Sequence, residues 1–488
     1  MKNIFIYIMS LVLVMSPMAC EDALDVNTDP LAATTADPSA VLPFVFVQYA
    51  ARKTTELGTR TMDVTQYISD TFNSPKRGNT SIFLTGNTWG MYYTLILGNL
   101  LLVKNDAIEA GPTSNNIAAV ASVLTALSYY ELSSLWNDVP FTQALDGQEF
   151  QFPEFDSQET VLKGCVALLD EAVSFIDGMP EEGNFNLTTG DLLYGGNMDN
   201  WRRFANSLKL RILMMIRNRD TSVDGQITAL LGTPGVLIEE NTQAAIFNYP
   251  GTPGQINGWQ DIVESFFGPD NEAVQVFGPA PVFRDLLFNN DDPRLDLFFT
   301  DMSGTGTYPA QEYDLFPDFD QHAVIANNVI RPDLPNIWML PSEISFYRAE
   351  AALLGIGPDD AQASFDQGVR QHISFWGRVG AGSIPGGVRS VTSDQIETFI
   401  TSLPALASLS ADDALTQVYE QMYIEGFWRS VYAWNHVRRT KVPDLQPPAA
   451  ATIATILKRF DYPPDEVGSN PNTPSNPPTD TPMWFEQP

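Results

Sequence analysis

The chain has 488 residues, is 44% hydrophobic and carries only 18% charged residues, which suffices for a large core, allows two or three domains and excludes disorder along the whole length. Its 59 Asp+Glu against 27 Lys+Arg give a formal charge of −32. Nucleic acid is excluded as a partner, because phosphates must be neutralised by clustered cations; the acidity itself names no ligand and is accounted for by solubility.

The N-terminus reads as a targeting segment. Lys2 supplies a short positive region, and Ile4 to Met15 is apolar, long enough for a signal peptide and too short to span a bilayer. Ala19 then precedes Cys20, the lipobox arrangement in which the thiol is acylated and the signal is cut before it; Pro17 stands where an aliphatic residue is usual. We therefore expect residues 1–19 to be a signal peptide and 20–38 a lipidated Cys20 with a polar tether. An ordinary secretory signal with a chance cysteine is the alternative. The second cysteine, Cys165, is then alone and cannot form an intrachain disulfide. It falls on the apolar face of a predicted helix, as a buried inert thiol would.

From Asp37-Pro38, an N-cap followed by Pro at the first helical position, the pattern is mainly α. Helices are expected over about 87–110, 114–136 and 200–217, the last with Trp201, Phe204, Leu208, Ile212 and Met215 on one face. Another opens at a capping box, Asp156-Ser-Gln-Glu159, and carries Val161, Cys165, Leu169 and Ile176 on its apolar side. Further pairs follow at about 341–354 with 358–376 and 410–427 with 428–440. Consecutive amphipathic helices joined by short turns suggest stacked pairs in the tetratricopeptide manner, though no strict repeat period emerges.

Between about 229 and 340 the texture changes to dense Gly, Pro, Asn and Asp with frequent aromatics. This predicts loops, a few short strands and small helices inserted into the helical scaffold, where ligand contacts concentrate. Residues 377–390 form a smaller loop of this kind. The tail from Asp461 has eight prolines and is expected to be irregular.

Catalytic signatures are sparse. His322, His372 and His436 show no ligand spacing for zinc, and no nucleophile elbow or phosphate-binding glycine loop occurs. Neither a cofactor nor a metal is expected. Glu343 and Glu350 share a helix face but lie roughly 10 Å apart, beyond the retaining-glycosidase separation, so carboxylates satisfied by neighbouring arginines are the better reading. The run Asn289 to Asp296 could offer oxygens to calcium, but it lacks the EF-hand glycine and glutamate, and a turn with helix capping is preferred. Arg438-Arg439 suits a helix C-terminus by its dipole.

Several ordered landmarks carry a family resemblance. They are Leu135-Trp-Asn-Asp-Val-Pro-Phe-Thr-Gln-Ala144, Asp191-Leu-Leu-Tyr-Gly-Gly196 followed by Asn200-Trp-Arg-Arg-Phe-Ala-Asn-Ser-Leu-Lys-Leu-Arg211, and Leu340 to Gly355 with Glu343 and Glu350. Val418 to Phe427, Ala433 to Pro443 and Arg459 to Asn470 complete the series. In this order they resemble the SusD/RagB proteins, nutrient-binding lipoproteins of Bacteroidetes, with Trp136 and Asn137 standing where the family has Phe and Gly. The acidic pair Glu21-Asp22 after Cys20 is similar to the surface-export signal of such lipoproteins. The resemblance implies a single domain over 39–488 with four tetratricopeptide-like helix pairs, an outer-membrane surface location, and a TonB-dependent SusC-like barrel as partner. It implies a glycan ligand or, toward RagB, a peptide, and makes Glu343 and Glu350 scaffold.

Oligosaccharide binding leads, with peptide binding next, and a surface glycosidase or a lid without ligand contact behind them. Sugar rings stack on flat aromatics, so Trp259, Tyr308 and Tyr313 in the loop-rich region are the expected ligand contacts; core or loop packing is the alternative for each. Trp259→Ala is expected to weaken binding and spare stability. Trp89, Trp136, Trp201 and Trp434 are expected in the core.

Overall fold

A computed structural model describes residues 37–69, 82–267, 277–311, 321–326, 329–379, 390–448 and 451–486. Residues 1–36, with Cys20, and the segment holding Tyr313 lie outside the described residues, as does most of the predicted 377–390 loop.

Helices dominate. α1 (Pro38–Arg52) runs into a π-helical stretch, Lys53–Gly58, and then α2 (Thr59–Val64). The predicted 87–110 helix is longer, with α3 (Ile82–Gly90) and α4 (Gly98–Ala110) joined by a second π-helical stretch, Met91–Leu97. α5 (Asn115–Trp136), α6 (Gln158–Asp177) and α7 (Met198–Ile216) follow, and α6 packs on both α5 and α7. The stripe on α7 faces inward as its spacing predicts: Trp201, Phe204, Leu208 and Ile212 have no exposed surface. Trp136 and Trp434 are equally buried, and Trp89 nearly so.

Two local expectations change. The cap of α6 is Ser157, whose hydroxyl accepts from Thr160 N at 3.3 Å. Asp156 instead accepts from Phe141 N at 3.1 Å and Thr142 N at 2.7 Å, which closes the long 137–157 loop. The tail is also not wholly irregular: Pro464–Ser469 is a short helix with Pro464 in its first turn, where a missing N–H costs nothing, and Trp484–Glu486 is a 3-10 turn.

The loop-rich region holds α8 (Asp224–Gly232), α9 (Gly258–Phe267), α10 (Pro281–Phe288) and α11 (Arg294–Phe298). Among the described residues the strands, all but β1 from this region, form three two-stranded antiparallel ribbons. β1 (Ile68–Ser69) pairs with β3 (Gly278–Pro279), β2 (Ala245–Phe247) with β6 (Asn336–Met339), and β4 (Phe299–Asp301) with β5 (Ala323–Ile325). α12 (Pro341–Leu353) and α13 (Ala361–Val379) pack closely, with Gly368 giving room to the Phe346 ring. α14 (Ser393–Ser402), α15 (Ala411–Glu425) and α16 (Ser430–Thr440) complete the scaffold. An aromatic core joins the loop-rich region to it. The rings of Phe298 and Phe427 are 4.2 Å apart, those of Phe298 and Trp376 5.2 Å, and those of Phe283 and Phe427 5.2 Å. Contacts of this kind add to the apolar burial that holds the two parts together.

Candidate ligand-binding cleft

The run from Asn289 to Asp296 is a helix stop followed by a buried ion pair. After α10, Asp291 N donates to Phe288 O at 3.2 Å and Asp292 N to Leu287 O at 3.0 Å, with Asp291 in the left-handed region at φ 50°. This is a Schellman termination, and aspartate tolerates the conformation better than most residues. Asp292 turns inward and takes up the buried Arg294, with Nε to Oδ1 at 2.9 Å and Nη2 to Oδ2 at 2.5 Å. The Arg294 guanidinium also reaches Gln421 Oε1 at 2.5 Å and lies 3.0 Å from His372 Nδ1. Burial, and then Arg294 and Arg429, hold His372 well below its ordinary pKa. The Asp292 carboxylate is thus engaged by a guanidinium, which fits the turn-and-cap reading of this run.

Asn289, Asn290, Asp291 and Asp296 remain at the surface side and face α14. That helix starts at a capping box: Gln395 N donates to Thr392 Oγ1 at 3.3 Å, and Thr392 N to Gln395 Oε1 at 2.9 Å. Its Ile396, Phe399 and Ile400 are buried, so Asp394, Thr398 and Ser402 project toward solvent. Between the two elements lies a cleft of about 740 Å³, within the range of small-molecule sites. Carboxylates, amides and hydroxyls line it, with Phe399, Leu403 and Pro404 as its apolar patch. A neighbouring depression of about 600 Å³ shares Asp394, Thr398 and Ser402, so the concave surface continues along α14. Among the described residues, three carboxylates and no cation line the cleft.

The expected contact residues divide. Tyr308 is half-buried and packed against the core; it does not line the cleft, but its hydroxyl donates to Asp296, a lining residue. It adopts φ 47°, an uncommon conformation for an aromatic residue and one that recurs at ligand clamps. Trp259 is in the core at 2% exposure, against Trp428 at 4.6 Å and Phe277 at 5.7 Å. Its ring offers almost no face to a ligand, and from this burial its truncation is expected to cost stability. Sequence reasoning did not find the α14 half of the cleft, because Asp394, Thr398 and Ser402 carry no motif.

Glu343 and Glu350 are separated by their partners. Arg211 Nε and Nη2 donate to Glu343 at 2.7 and 2.8 Å, and Arg429 also contacts it. Although burial pushes Glu343 up, Arg211 and Arg429 pull its carboxyl below the usual range. Glu350 accepts from Arg439 at 2.5 and 2.8 Å and from Tyr419 at 3.0 Å. Arg439 is therefore an ion-pair partner, beyond any helix-dipole role. Burial alone pushes the Cys165 thiol well up, the condition of an inert cysteine.

A family model described as "Starch-binding associating with outer membrane", SusD-like, matches residues 30–463. None of the curated proteins matches the sequence. Among solved structures, a chitin-binding protein is 20% identical with a TM-score of 0.76, over 89% of this chain and 94% of its own. A SusD homologue from Bacteroides uniformis is 20% identical with a TM-score of 0.74, over 92% and 99%. A SusD/RagB family protein from Bacteroides thetaiotaomicron is 18% identical with a TM-score of 0.74, over 93% and 99%. At these identities the likeness concerns the fold.

Proposed function

We propose that this chain, which belongs to the SusD-like family, is a cell-surface lipoprotein that binds an oligosaccharide and delivers it to a SusC-like TonB-dependent barrel in the outer membrane. The anchor is Cys20, exposed after removal of residues 1–19, with 20–38 as tether and the remainder as one binding domain. Acyl chains gain about 0.8 kcal/mol per buried CH₂, so several make a stable anchor. Among the described residues no helix is long and apolar enough to cross a membrane.

The observation that carries the ligand reading is the lining of the α14 cleft. Asn289, Asn290, Gln395, Thr398 and Ser402 provide the donors and acceptors a polyol requires, and Leu403 and Pro404 add apolar surface. Asp291, Asp296 and Asp394 accept hydroxyl hydrogen bonds and repel acidic sugars, which narrows the class to neutral glycans. Tyr308, bonded to the lining residue Asp296, is the candidate aromatic for this site, and Tyr313, outside the described residues, stays a candidate on its sequence alone. The reading is of binding without catalysis, supported by the burial of Glu343 and Glu350 and their ion pairs to different arginines.

A second reading keeps the fold and takes a basic peptide, which the three cleft carboxylates favour. Screening the mature protein against immobilised neutral glycans, acidic glycans and basic peptides separates the two. Retention on neutral glycans supports the first reading; retention on basic peptides alone replaces it with the second.

A further inference from the structure

A cavity of about 140 Å³ lies beyond the end of α16, next to the last turn of the chain. Arg438, Lys441 and Lys458 line it together with Asp444 and Glu486. Three cations in one place are notable where Lys+Arg total 27 against 59 acids.

Glu486 shows how this cluster receives an oxyanion. Its side chain has no exposed surface, and one oxygen, Oε2, takes both Lys441 Nζ at 2.9 Å and Lys458 Nζ at 3.0 Å. The other oxygen accepts from Met483 N at 3.1 Å. Each ammonium has three donors; Glu486 takes one from each, and Lys441 gives a second to the Arg438 carbonyl. Arg438 is 1% exposed, and its hydrogen bonds go to neutral acceptors, the carbonyls of Trp434 and Lys458 and the Asn435 side chain. Asp444 accepts from Gln446 Nε2 at 2.8 Å. Among the described residues, three cations less the two carboxylates leave one positive charge at the cavity wall. Burial lowers the Lys441 pKa; Lys458 and Arg438 lower it further, and Glu486 only partly offsets them.

We propose that this cavity binds a small oxyanion, a carboxylate or phosphate group held by Lys441 and Lys458 with Arg438 beneath it. The cavity has room for several waters or one such group. The site is separate from the α14 cleft, and its success or failure leaves the glycan reading untouched.

The test titrates inorganic phosphate, and in a second arm glucuronate, into the full mature chain at constant ionic strength. Melting temperature and calorimetry are the readouts. A ligand that binds the folded state alone raises the melting temperature saturably. Lys441 is more than half exposed at its side chain, and Lys458 still pairs with Glu486 without it, so Lys441→Met is expected to fold, which its melting temperature without ligand checks. We expect that variant to bind about tenfold more weakly, the weight of one charge-assisted hydrogen bond. Glu486→Gln, which frees both ammonium groups, is expected to bind more tightly; if it does not fold, Lys441→Met decides alone. Binding of phosphate identifies a free ion as the source, and binding of glucuronate alone identifies an acidic sugar. An unsaturable response, or an equal one in wild type and Lys441→Met, overturns the proposal.

Discussion

The indole rings of Trp259 and Trp428 lie 4.6 Å apart and are both buried. Trp428 holds φ 69° at the junction of α15 and α16, so the loop-rich region is pinned to the scaffold at a conformationally costly residue. Truncating a buried Trp to Ala costs about 3–5 kcal/mol. Trp259→Ala is therefore expected to lower the denaturant midpoint clearly. A midpoint equal to wild type would place the ring outside the core.

The buried cluster of Arg211, Glu343, Glu425 and Arg429 predicts a pH dependence. Burial pushes the Glu425 carboxyl up to about 7; Arg429 opposes the shift, Glu343 adds to it, and the Tyr432 and Ser342 hydroxyls face the same group. With a folded pKa above the unfolded one, the folded state binds the extra proton. This contribution is complete below the unfolded value and is lost as pH rises through about 7. Wild type should lose more unfolding free energy than Glu425→Gln between pH 5 and pH 8, measured in urea. Parallel profiles for the two proteins contradict this assignment.

What the sequence made legible follows from the range of each interaction. The α7 stripe needs only 3.6-residue periodicity, and Trp201 and Phe204 are buried as that spacing predicts. The helical scaffold was readable for the same reason. Capping was readable only to within a residue, because Asp156 and Ser157 are both good caps and a distant loop decides between them. The π-helical turns at Lys53–Gly58 and Met91–Leu97 leave no mark in the apolar pattern. Trp259 looked like a loop aromatic because its partner, Trp428, is remote in sequence. The cleft was half visible: the polar run at Asn289 was noticed, but the facing α14 residues are ordinary helix-surface side chains until the fold brings them opposite.

The anchor is tested by fractionation. Cys20→Ala should move the protein from the membrane fraction to the soluble fraction of its native host. Unchanged membrane association would remove the lipid anchor from the account.

The cleft is tested most directly by calorimetric titration of the mature protein with a neutral oligosaccharide it retains, comparing wild type with the Asp296→Ala/Asp394→Ala double variant and analysing the sugar afterwards. A net hydrogen bond contributes roughly 0.5–1.5 kcal/mol, so losing two is predicted to weaken binding about tenfold. The melting temperature should hold and the sugar should be recovered intact. Equal affinity in the two proteins, or hydrolysis of the sugar that the double variant abolishes, would contradict a binding protein that works through this cleft.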